Sequence, residues 1–320
     1  MVRTMRDPAA PIAAVIVNWN GASDTLAVLE ELGSEEGHSL RTFVVENGST
    51  DDSLERLEAS NLDFELIKTG DNLGFAGGNV VGIRNAAADP EVEWFLLINN
   101  DVVVDPGFLT PLIEACRDPE VGAVGPKIYY HEPARLLWAA GGRLRVRETV
   151  TEEFGKGNLD QGQWDQARDV TYLTTCCLLV PRDALERVGL LDPLFFIGVE
   201  DADWCRRALD SGYRLRYVPE SRIWHKVAVS TGGSYTPFKT FHTGRSNTLY
   251  ARRHLNLGGL VRFLTANLAA LMVAFIRELP RGNTAAVVAK AKGVWSGLSD
   301  RLSQPPGLEK SDSESSVTGR

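Results

Sequence analysis

Short apolar runs alternate with helix-like stretches along the first 125 residues. The apolar runs have the length of buried strands and cover residues 12–17, 41–45, 64–68, 94–98 and 121–124. The stretches between them have the patterning of helices and cover residues 24–32, 51–59, 75–88 and 106–116. Strands and helices that alternate over short connections form βαβ units. The pattern therefore predicts an α/β fold with a mostly parallel sheet and helices on both faces.

The pattern is less regular after residue 126 and becomes helical after residue 237. The middle of the chain has strand-like runs at 127–130, 144–147, 172–180 and 214–218, and helix-like stretches at 182–188 and 201–211. Residues from 303 onward are rich in Ser, Pro and Gly, which favours disorder. We therefore expect one α/β domain over 1–236 with halves of about 11–125 and 126–236, a helical region over 237–301, and a disordered tail over 302–320.

The first apolar run has a faint similarity to a signal peptide, because Arg3 and Arg6 precede residues 9–17. Asp7-Pro8 interrupts the approach to that run, and Asn18-Trp19-Asn20 stands where a small-residue cleavage site would lie. We interpret the run as a buried first strand.

A second apolar segment, residues 263–276, lies between Arg262 and Arg277. A helix that spans a membrane needs about 20 apolar residues. This segment has 14, so it predicts a buried or interfacial helix rather than a membrane span.

The formal net charge of −8 argues against a nucleic-acid partner. The charge is divided unevenly, since residues 1–236 carry −15 and residues 237–301, with 10 basic and 2 acidic side chains, carry +8. Two interpretations stay open for this basic, apolar region. Residues 256–301 could dock peripherally on an anionic membrane, or the apolar helix could pack on the α/β domain.

The chain has four cysteines, Cys116, Cys176, Cys177 and Cys205, and no C-x-x-C pair. This usage fits buried packing residues in a reducing cytosol rather than a zinc site or a disulfide scaffold.

Polar clusters follow four of the predicted strands. They are Asn18-Trp19-Asn20, the run from Glu46 to Asp51, the loop from Asn72 to Asn79, and Asn99-Asn100-Asp101. Because ligands bind beyond the carboxyl ends of parallel strands, these clusters predict a cleft at one edge of the sheet. The glycines do not form G-x-G-x-x-G and no P-loop occurs, which disfavours a nicotinamide dinucleotide or a P-loop nucleotide.

Two acids in these clusters suggest nucleotide chemistry. Glu46 could accept hydrogen bonds from a base or a ribose, and Asp101 could hold a divalent cation that bridges two phosphates. The same residue types are also common as helix caps and turn residues, so each one alone would be interpreted that way.

Taken in order, these clusters resemble the successive motifs of inverting glycosyltransferase family 2, which has the GT-A fold. The resemblance continues through residues 195–207, Trp224-His225-Lys226 and Arg245-Ser246-Asn247, so it covers about 11–250. The closest subgroup in character is the rhamnosyltransferase-like one. The resemblance implies a nucleotide-sugar half over 11–125, an acceptor half over 126–236 and a C-terminal helical extension.

The resemblance also implies the roles of individual residues. Glu46 matches an acid that contacts the base, where the family more often has Asp, and the other donor-binding positions are Val17, Trp19, Asn20, Asn72, Gly74, Gly78 and Asn100. Asp101 matches the last acid of the D-x-D metal motif, and His225 matches a position that completes binding of Mg²⁺ or Mn²⁺ or of the diphosphate. The motif here is Asn-Asn-Asp, with a single carboxylate.

The same resemblance makes Asp201 the general base, with Glu200 orienting it and Asp203 structural. An inverting transfer needs one base to take the proton of the acceptor hydroxyl. Without the resemblance, these acids would be interpreted as first-turn residues that favour the helix dipole. Trp138, Trp164 and Trp204 could stack on sugars or belong to the core.

The expected protein is thus a cytoplasmic enzyme that acts in surface polysaccharide or lipid-linked glycan synthesis, and a peripheral position on the inner face of the cell membrane is one of the two open interpretations of residues 256–301. Its expected donor is dTDP-rhamnose or a UDP-sugar, and its acceptor a polyprenyl-linked glycan, a polysaccharide or a small molecule. A nucleotidyltransferase is disfavoured, because no basic Gly-rich loop follows the first strand. A nucleotide-sugar-binding module without turnover stays open, because the metal motif is reduced.

Overall fold

The computed structural model describes residues 4–145, 150–227 and 236–309. Within these ranges the strands are β1 (Ile12–Asn18), β2 (Leu40–Glu46), β3 (Glu65–Lys68), β4 (Trp94–Ile98), β5 (Val102–Val104), β6 (Val121–Tyr130), β7 (Leu137–Ala139), β8 (Gly142–Leu144), β9 (Thr151–Glu153), β10 (Arg168–Val170), β11 (Cys177–Pro181) and β12 (Arg214–His225). The helices are α1 (Ala22–Gly33), α2 (Ser53–Glu58), α3 (Gly74–Ala87), α4 (Leu109–Cys116), α5 (Arg182–Val188), α6 (Glu200–Asp210), α7 (Pro237–His254), α8 (Leu257–Glu278) and α9 (Thr284–Ser299). Short 3₁₀ turns cover Pro193–Phe195 and Leu279–Arg281.

A mixed sheet forms the centre of the protein, with the strand order β10-β12-β6-β11-β4-β1-β2-β3. Strands β4, β1, β2 and β3 are parallel to one another, and β1 pairs with β2 from Ile12 opposite Leu40 to Asn18 opposite Glu46. Strand β11 runs antiparallel to both β4 and β6, whereas β12 is parallel to β6. The predicted α/β fold class is confirmed, with a central sheet, flanking helices and a C-terminal helical region, and the sheet is parallel from β4 to β3 and mixed beyond β4.

Strand β1 explains why the first apolar run has no polar face. Ala13 and Val15 belong to the core under α3, whereas Ile12, Ala14 and Ile16 belong to the core under α1. All five residues are fully buried. Side chains on a strand alternate between its two faces, so a strand covered on both sides must be apolar at every position.

Strands β6 and β12 are longer than the sequence pattern predicted. The structure joins the runs on either side of Pro126 into β6. Pro126 lies opposite Val218, and the next residue, Lys127, lies opposite Arg222, so the register of β12 shifts at this point. Proline has no N–H to donate to the sheet, and it stands where the ladder is already irregular. Strand β12 continues to His225, and this end pairs with β5. The strand expected over 172–180 begins only at Cys177, and residues 146–147 of the run at 144–147 lie outside the described residues.

Helices α7 and α9 lie side by side and run in the same direction. Thr240 Oγ1 donates to the carbonyl of Ala286 near their starts (2.7 Å), and Arg252 donates to the carbonyl of Asp300 near their ends (2.8 Å). Glycines permit the close approach, since a Cβ on Gly293 would lie 2.0 Å from a backbone oxygen of α7. Helix α8 connects the end of α7 to the start of α9, so it runs back in the opposite direction.

Helix α8 is longer than the 14-residue apolar run and turns its apolar side outward. Its buried positions include Gly259, Phe263 and Asn267, whereas Leu257 is 78% exposed and Ile276 is 72% exposed. The interpretation of an apolar helix packed on the α/β domain is therefore wrong for most of α8. Among the described residues, one segment, Leu257–Arg281, is long and apolar enough to cross a membrane by length and composition.

Residues 302–309, which we expected to belong to a disordered tail, pack along the α/β domain. Leu308 is part of the core beside α3, the backbone N–H of Leu190 donates to Pro306 (2.8 Å), and Arg84 donates to the carbonyl of Gly307 (3.1 Å). The apolar side chain of Leu308 explains the difference, because it brings burial that the polar composition around it does not suggest. The rest of the predicted tail, 310–320, lies outside the described residues.

Candidate active site

A cavity of about 160 Å³ lies beyond the carboxyl ends of β1 and β4. Its lining consists of Val17, Trp19, Asn47, Asn72, Gly74, Phe75, Asn99, Asn100, Asp101, Phe196, Ile197 and Phe238. The structure thus brings together Val17, Trp19, Asn72, Gly74, Asn100 and Asp101 from the predicted set. Phe196, Ile197 and Phe238 form an aromatic and apolar wall of the cavity, and none of the three was predicted as a site residue.

Gly74 shapes one wall of this cavity. Its φ of +75° is in the left-handed region, and a Cβ there would lie 2.5 Å from the carbonyl oxygen of Phe196. The backbone N–H of Gly74 donates to Asn72 Oδ1 (2.8 Å), and its carbonyl accepts from Asn47 Nδ2 (3.1 Å). This glycine lets the loop after β3 approach the loop before α6.

Six predicted site residues are not part of the cavity lining: Asn20, Glu46, Gly78, Glu200, Asp201 and His225. Glu46 is buried, and its Oε1 accepts from the backbone N–H of Ser49 (2.7 Å). Asn20 exchanges hydrogen bonds with Thr50, and Gly78 lies so close to Val17 that a Cβ would be 2.8 Å from its side chain. Glu46 and Asn20 hold the loops behind the cavity, and Gly78 seats α3 against β1.

Asp101 lines the cavity and contacts His225, which lies outside the lining. Strand β5 pairs Val102 with His225, which places His225 Nε2 3.1 Å from Asp101 Oδ1. Burial alone would raise the pKa of Asp101, but the hydrogen bond and charge of His225 hold it below its usual value. The backbone N–H of Lys226 also donates to the carbonyl of Asp101 (2.9 Å).

The donors around Asp101 fit a small divalent cation with few protein ligands. Within the described residues, the buried Oδ1 of Asn99 and Nδ1 of His225 have no hydrogen-bond partner. Those residues contain no cluster of three or more His, Cys, Asp or Glu side chains that could hold a metal. A carboxylate, an amide oxygen and an imidazole are suitable ligands for Mg²⁺ or Mn²⁺, and phosphate oxygens and water would complete the shell.

A strained loop delivers the first turn of α6. Phe196 has φ +59° and Val199 has φ +75°. A positive φ is uncommon for any residue other than glycine, and it is rarest for β-branched residues such as Val199. The turn buries the side chains of Glu200 and Asp201, which are the first two residues of α6. Burying two adjacent acids costs free energy, and such sites are candidates for function.

The hydroxyl of Tyr172, a residue that was not predicted to belong to the site, holds the carboxylate of Asp201. Tyr172 donates from its hydroxyl to Asp201 Oδ2 (2.7 Å), and the backbone N–H of Ala202 donates to Oδ1 (2.7 Å). Burial raises the pKa of Asp201, and these hydrogen bonds oppose the rise. Burial and the charge of Asp201 also raise the pKa of Glu200, whose buried Oε2 has no partner among the described residues.

The segment Thr175–Cys176 lies between the two acidic positions. The backbone N–H of Asn99 donates to the carbonyl of Cys176 (2.9 Å), and the backbone of Thr175 is close enough to Asp201 to lower the pKa of its carboxyl group. Burial raises the pKa of the Cys176 thiol, and the charges of both Asp101 and Asp201 raise it further. Asp101 and Asp201 therefore both lie near Cys176.

Asp203, one residue further along α6, has a different environment. It is fully buried and accepts hydrogen bonds from Arg207 (2.8 Å), Arg253 (3.0 Å) and His254 (2.8 Å). Burial alone would raise the pKa of Asp203, but these partners lower it to about 2. Arg253 also pairs with Asp192 (2.6 Å), so the network ties the end of α7 to α6.

The three tryptophans have separate positions. Trp204 is in the core, and Trp164 stacks on Phe154 at 5.5 Å between ring centroids. Trp138 makes an edge contact with His225 at 4.8 Å and is the one of the three beside the site. All four cysteines are buried and unpaired, as expected for packing residues.

A mixed sheet with flanking helices and a cavity at the strand ends is the architecture of GT-A glycosyltransferases, and solved structures of this fold align with the chain. The structure of GalNAc-T7 with UDP, GalNAc and Mn²⁺ aligns with a TM-score of 0.59 and 14% identity, over 76% of this chain and 48% of that one. The mannosyltransferase PcManGT from Pyrobaculum calidifontis in complex with GDP-Man and Mn²⁺ aligns with a TM-score of 0.55 and 15% identity, over 93% and 90%. These similarities show the fold.

The chain belongs to the glycosyltransferase-like family 2, whose model matches residues 8–255, and it is a glycosyltransferase. The N-acetylglucosaminyl-diphospho-decaprenol L-rhamnosyltransferase of Mycobacterium tuberculosis is 27% identical over 266 residues, which cover 76% of this chain and 85% of that protein. The O-antigen biosynthesis protein RfbC of Myxococcus xanthus is 26% identical over 236 residues, covering 71% of this chain and 18% of RfbC. The predicted resemblance is confirmed, and the family match includes α7 but not α8.

Proposed function

We propose that the protein transfers a sugar, with inversion, from a nucleotide-diphosphate sugar to the hydroxyl of a lipid-linked glycan acceptor. The observation that carries this proposal is that Asp101 lines the cavity, while the loop of Phe196 and Ile197, which also lines it, leads directly into the turn of α6 that holds Asp201. One acid faces the place for a diphosphate, and the other is buried and has a raised pKa, as a general base requires. In this assignment residues 1–236 form the catalytic domain, with the donor half before about residue 125.

Asp201 removes the proton of the acceptor hydroxyl as that oxygen attacks the anomeric carbon. The new bond joins the acceptor oxygen to the sugar, the bond from the sugar to the phosphate oxygen breaks, and the nucleoside diphosphate leaves from the opposite face. The proton ends on the Asp201 carboxylate. Tyr172 keeps the carboxylate oriented, and Glu200, whose pKa is raised, stays protonated and limits the negative charge beside it.

Asp101, His225 and Asn99 would hold Mg²⁺ or Mn²⁺ at the diphosphate. When bound, that ion neutralises charge on the departing nucleoside diphosphate. Val17, Trp19, Asn72, Gly74 and Asn100 would bind the rest of the donor, because they line the cavity. Asn20, Glu46 and Gly78 would support the cavity walls, by holding the neighbouring loops and by packing α3 on β1.

The relatives suggest the substrates. The first choice of donor is dTDP-rhamnose, followed by UDP-sugars, because a rhamnosyltransferase is 27% identical over 76% of the chain. The first choice of acceptor is N-acetylglucosaminyl diphosphate on a polyprenol, by the same relation. Such an acceptor places the enzyme on the cytoplasmic side of the cell membrane, in the synthesis of a surface polysaccharide or a lipid-linked glycan.

The purified full chain tests this proposal. Thermal-shift measurements with nucleotide sugars and Mg²⁺ or Mn²⁺ should show stabilisation by one donor. Release of nucleoside diphosphate should then require the metal and increase when a polyprenyl-linked acceptor is added. Binding without any turnover would instead support a nucleotide-sugar-binding module.

A further inference from the structure

Helix α8 has the reverse of the usual arrangement of a surface helix. Its buried side contains Gly259, Phe263 and the polar Asn267, at a spacing of four residues. Its outward side carries large apolar side chains with 55–72% exposure: Val261, Leu268, Met272, Val273, Ile276 and Leu279. A contiguous exposed apolar face of this kind marks an interaction surface, which we call the α8 apolar face.

The connection of the helices excludes a transmembrane path for α8. Hydrogen bonds hold α9 to α7 at both ends, from Thr240 to Ala286 and from Arg252 to Asp300. Helix α7 is in turn anchored on α6 through Arg253. Both ends of α8 therefore return to the same rigid pair, and its length of about 33 Å lies alongside that pair. The α8 apolar face can enter a bilayer only with the helix axis in the plane of the membrane.

The charge around this face fits an anionic surface. Residues 237–301 carry +8, against −15 for residues 1–236. Arg262 lies near the start of α8, and Arg277 and Arg281 lie at its end. Basic residues beside exposed apolar ones are typical of helices that lie at the interface of anionic membranes.

The α8 apolar face also ends near the mouth of the cavity. Phe238 lines the cavity in the first turn of α7 and is 44% exposed. Thr240, two residues on, contacts the start of α9, which follows the end of α8 by only a few residues. The apolar surface and the site opening are therefore at the same end of the helical unit.

We infer that the α8 apolar face inserts in the plane of an anionic membrane and presents the cavity to the headgroup layer. The geometry points to a monotopic attachment in which α7 and α9 stay outside the hydrocarbon. The choice of a lipid-linked acceptor rests on the proposed function, whereas the attachment itself rests on the exposed face, the helix connection and the charge. The lipid chain of that acceptor would lie beside α8 while its sugar enters the cavity past Phe238.

Vesicle sedimentation with the full chain tests the attachment. The chain should bind vesicles of phosphatidylglycerol and phosphatidylcholine more strongly than vesicles of phosphatidylcholine alone. The double variant Val273→Asp/Ile276→Asp should reduce the bound fraction on anionic vesicles at least roughly tenfold. The reason is that two apolar side chains no longer transfer from water into the membrane. Leu159→Asp is the matched control, since Leu159 is 50% exposed on the acidic domain, and it should bind like the wild type.

A nitroxide label on Leu257→Cys or on Ile276→Cys gives the orientation. In-plane attachment predicts the same shallow depth at both ends of α8, whereas very different depths would overturn it. The proposal also fails if the double variant binds vesicles like the wild type. It fails as well if light scattering shows that the wild type is a dimer and that the double variant is a monomer. Release of nucleoside diphosphate in solution should be unchanged in the double variant, so loss of vesicle binding and loss of the proposed transfer activity are separate results.

Discussion

The hydroxyl of Tyr172 donates a 2.7 Å hydrogen bond to Oδ2 of Asp201, and both side chains are buried. The bond favours the charged form of a carboxylate that burial disfavours. It also fixes which oxygen of Asp201 is engaged, so that the carboxylate has one orientation. A strained loop before α6 and a phenol 29 residues earlier in the chain thus fix the position of the proposed base.

Replacing the proposed base should abolish most of the turnover. Asp201→Asn keeps the shape and the contact with Tyr172 but cannot accept a proton, so kcat should fall roughly 10²–10⁴-fold. Binding of the nucleotide sugar, measured by thermal shift, should be retained. Asp210→Asn, an exposed position on the same helix, is the control and should leave kcat unchanged. Turnover at the wild-type rate in Asp201→Asn would show that another group is the base.

The rate should depend on pH through Asp201. Burial raises the pKa of Asp201 to about 6, and a general base must be deprotonated, so kcat/KM should fall as the pH drops through about 6. Tyr172→Phe removes a hydrogen bond that lowers this pKa, so the fall of kcat/KM on the acidic side of the pH profile (the acidic limb) should move to higher pH. Tyr217→Phe, which removes a phenol bonded to the backbone of Trp164, should leave the limb in place. A limb that stays fixed in Tyr172→Phe would contradict the positioning role.

The parallel half of the fold could be predicted because its signals are local. The fully apolar run of β1 and the polar residues that follow it depend only on neighbouring positions. The Tyr172–Asp201 pair could not be predicted in this way, because only the tertiary fold brings the segment between β10 and β11 against α6. The same is true of His254 and Asp203, which are 51 residues apart and join two helices.

Other features had a signal that the sequence analysis did not use. Val102-Val103-Val104 is a run of β-branched residues typical of a strand, and it forms β5. Recognising it would have shown how Asp101 reaches His225. The length of α8 was underestimated because Arg262 was taken as a boundary, although a charged side chain is tolerated on the exposed side of a helix.

Removing the carboxylate at the diphosphate end should weaken metal-dependent binding. Asp101→Asn keeps a ligand oxygen but loses the charge, so stabilisation by a nucleoside diphosphate with Mn²⁺ should drop, while stabilisation by the nucleoside alone should persist. Asp63→Asn, on an exposed turn away from the cavity, should behave like the wild type. Equal stabilisation of Asp101→Asn and the wild type with Mn²⁺ would place the cation elsewhere.

The buried network around Asp203 should contribute stability that disappears in acid. Its partners lower the pKa of Asp203 from 3.8 to about 2 in the folded protein. A carboxyl with a depressed folded pKa stabilises the protein above its unfolded pKa and loses that contribution as the pH falls through the folded value. The difference corresponds to about 2 kcal/mol of unfolding free energy near neutral pH.

Asp203→Asn should therefore lower the free energy of unfolding by at least about 2 kcal/mol near pH 7, since it also leaves Arg253 and His254 with a neutral partner. Urea unfolding at several pH values measures this, and the gap between variant and wild type should narrow as the pH falls below about 4. Asp210→Asn, whose ion pair with Arg206 is exposed, should change the unfolding free energy by less than about 1 kcal/mol. A gap that is constant across the whole pH range would mean that Asp203 acts by packing alone. Because this network joins α7 to α6, its loss should also loosen the first turn that carries Asp201, and turnover should decline together with stability.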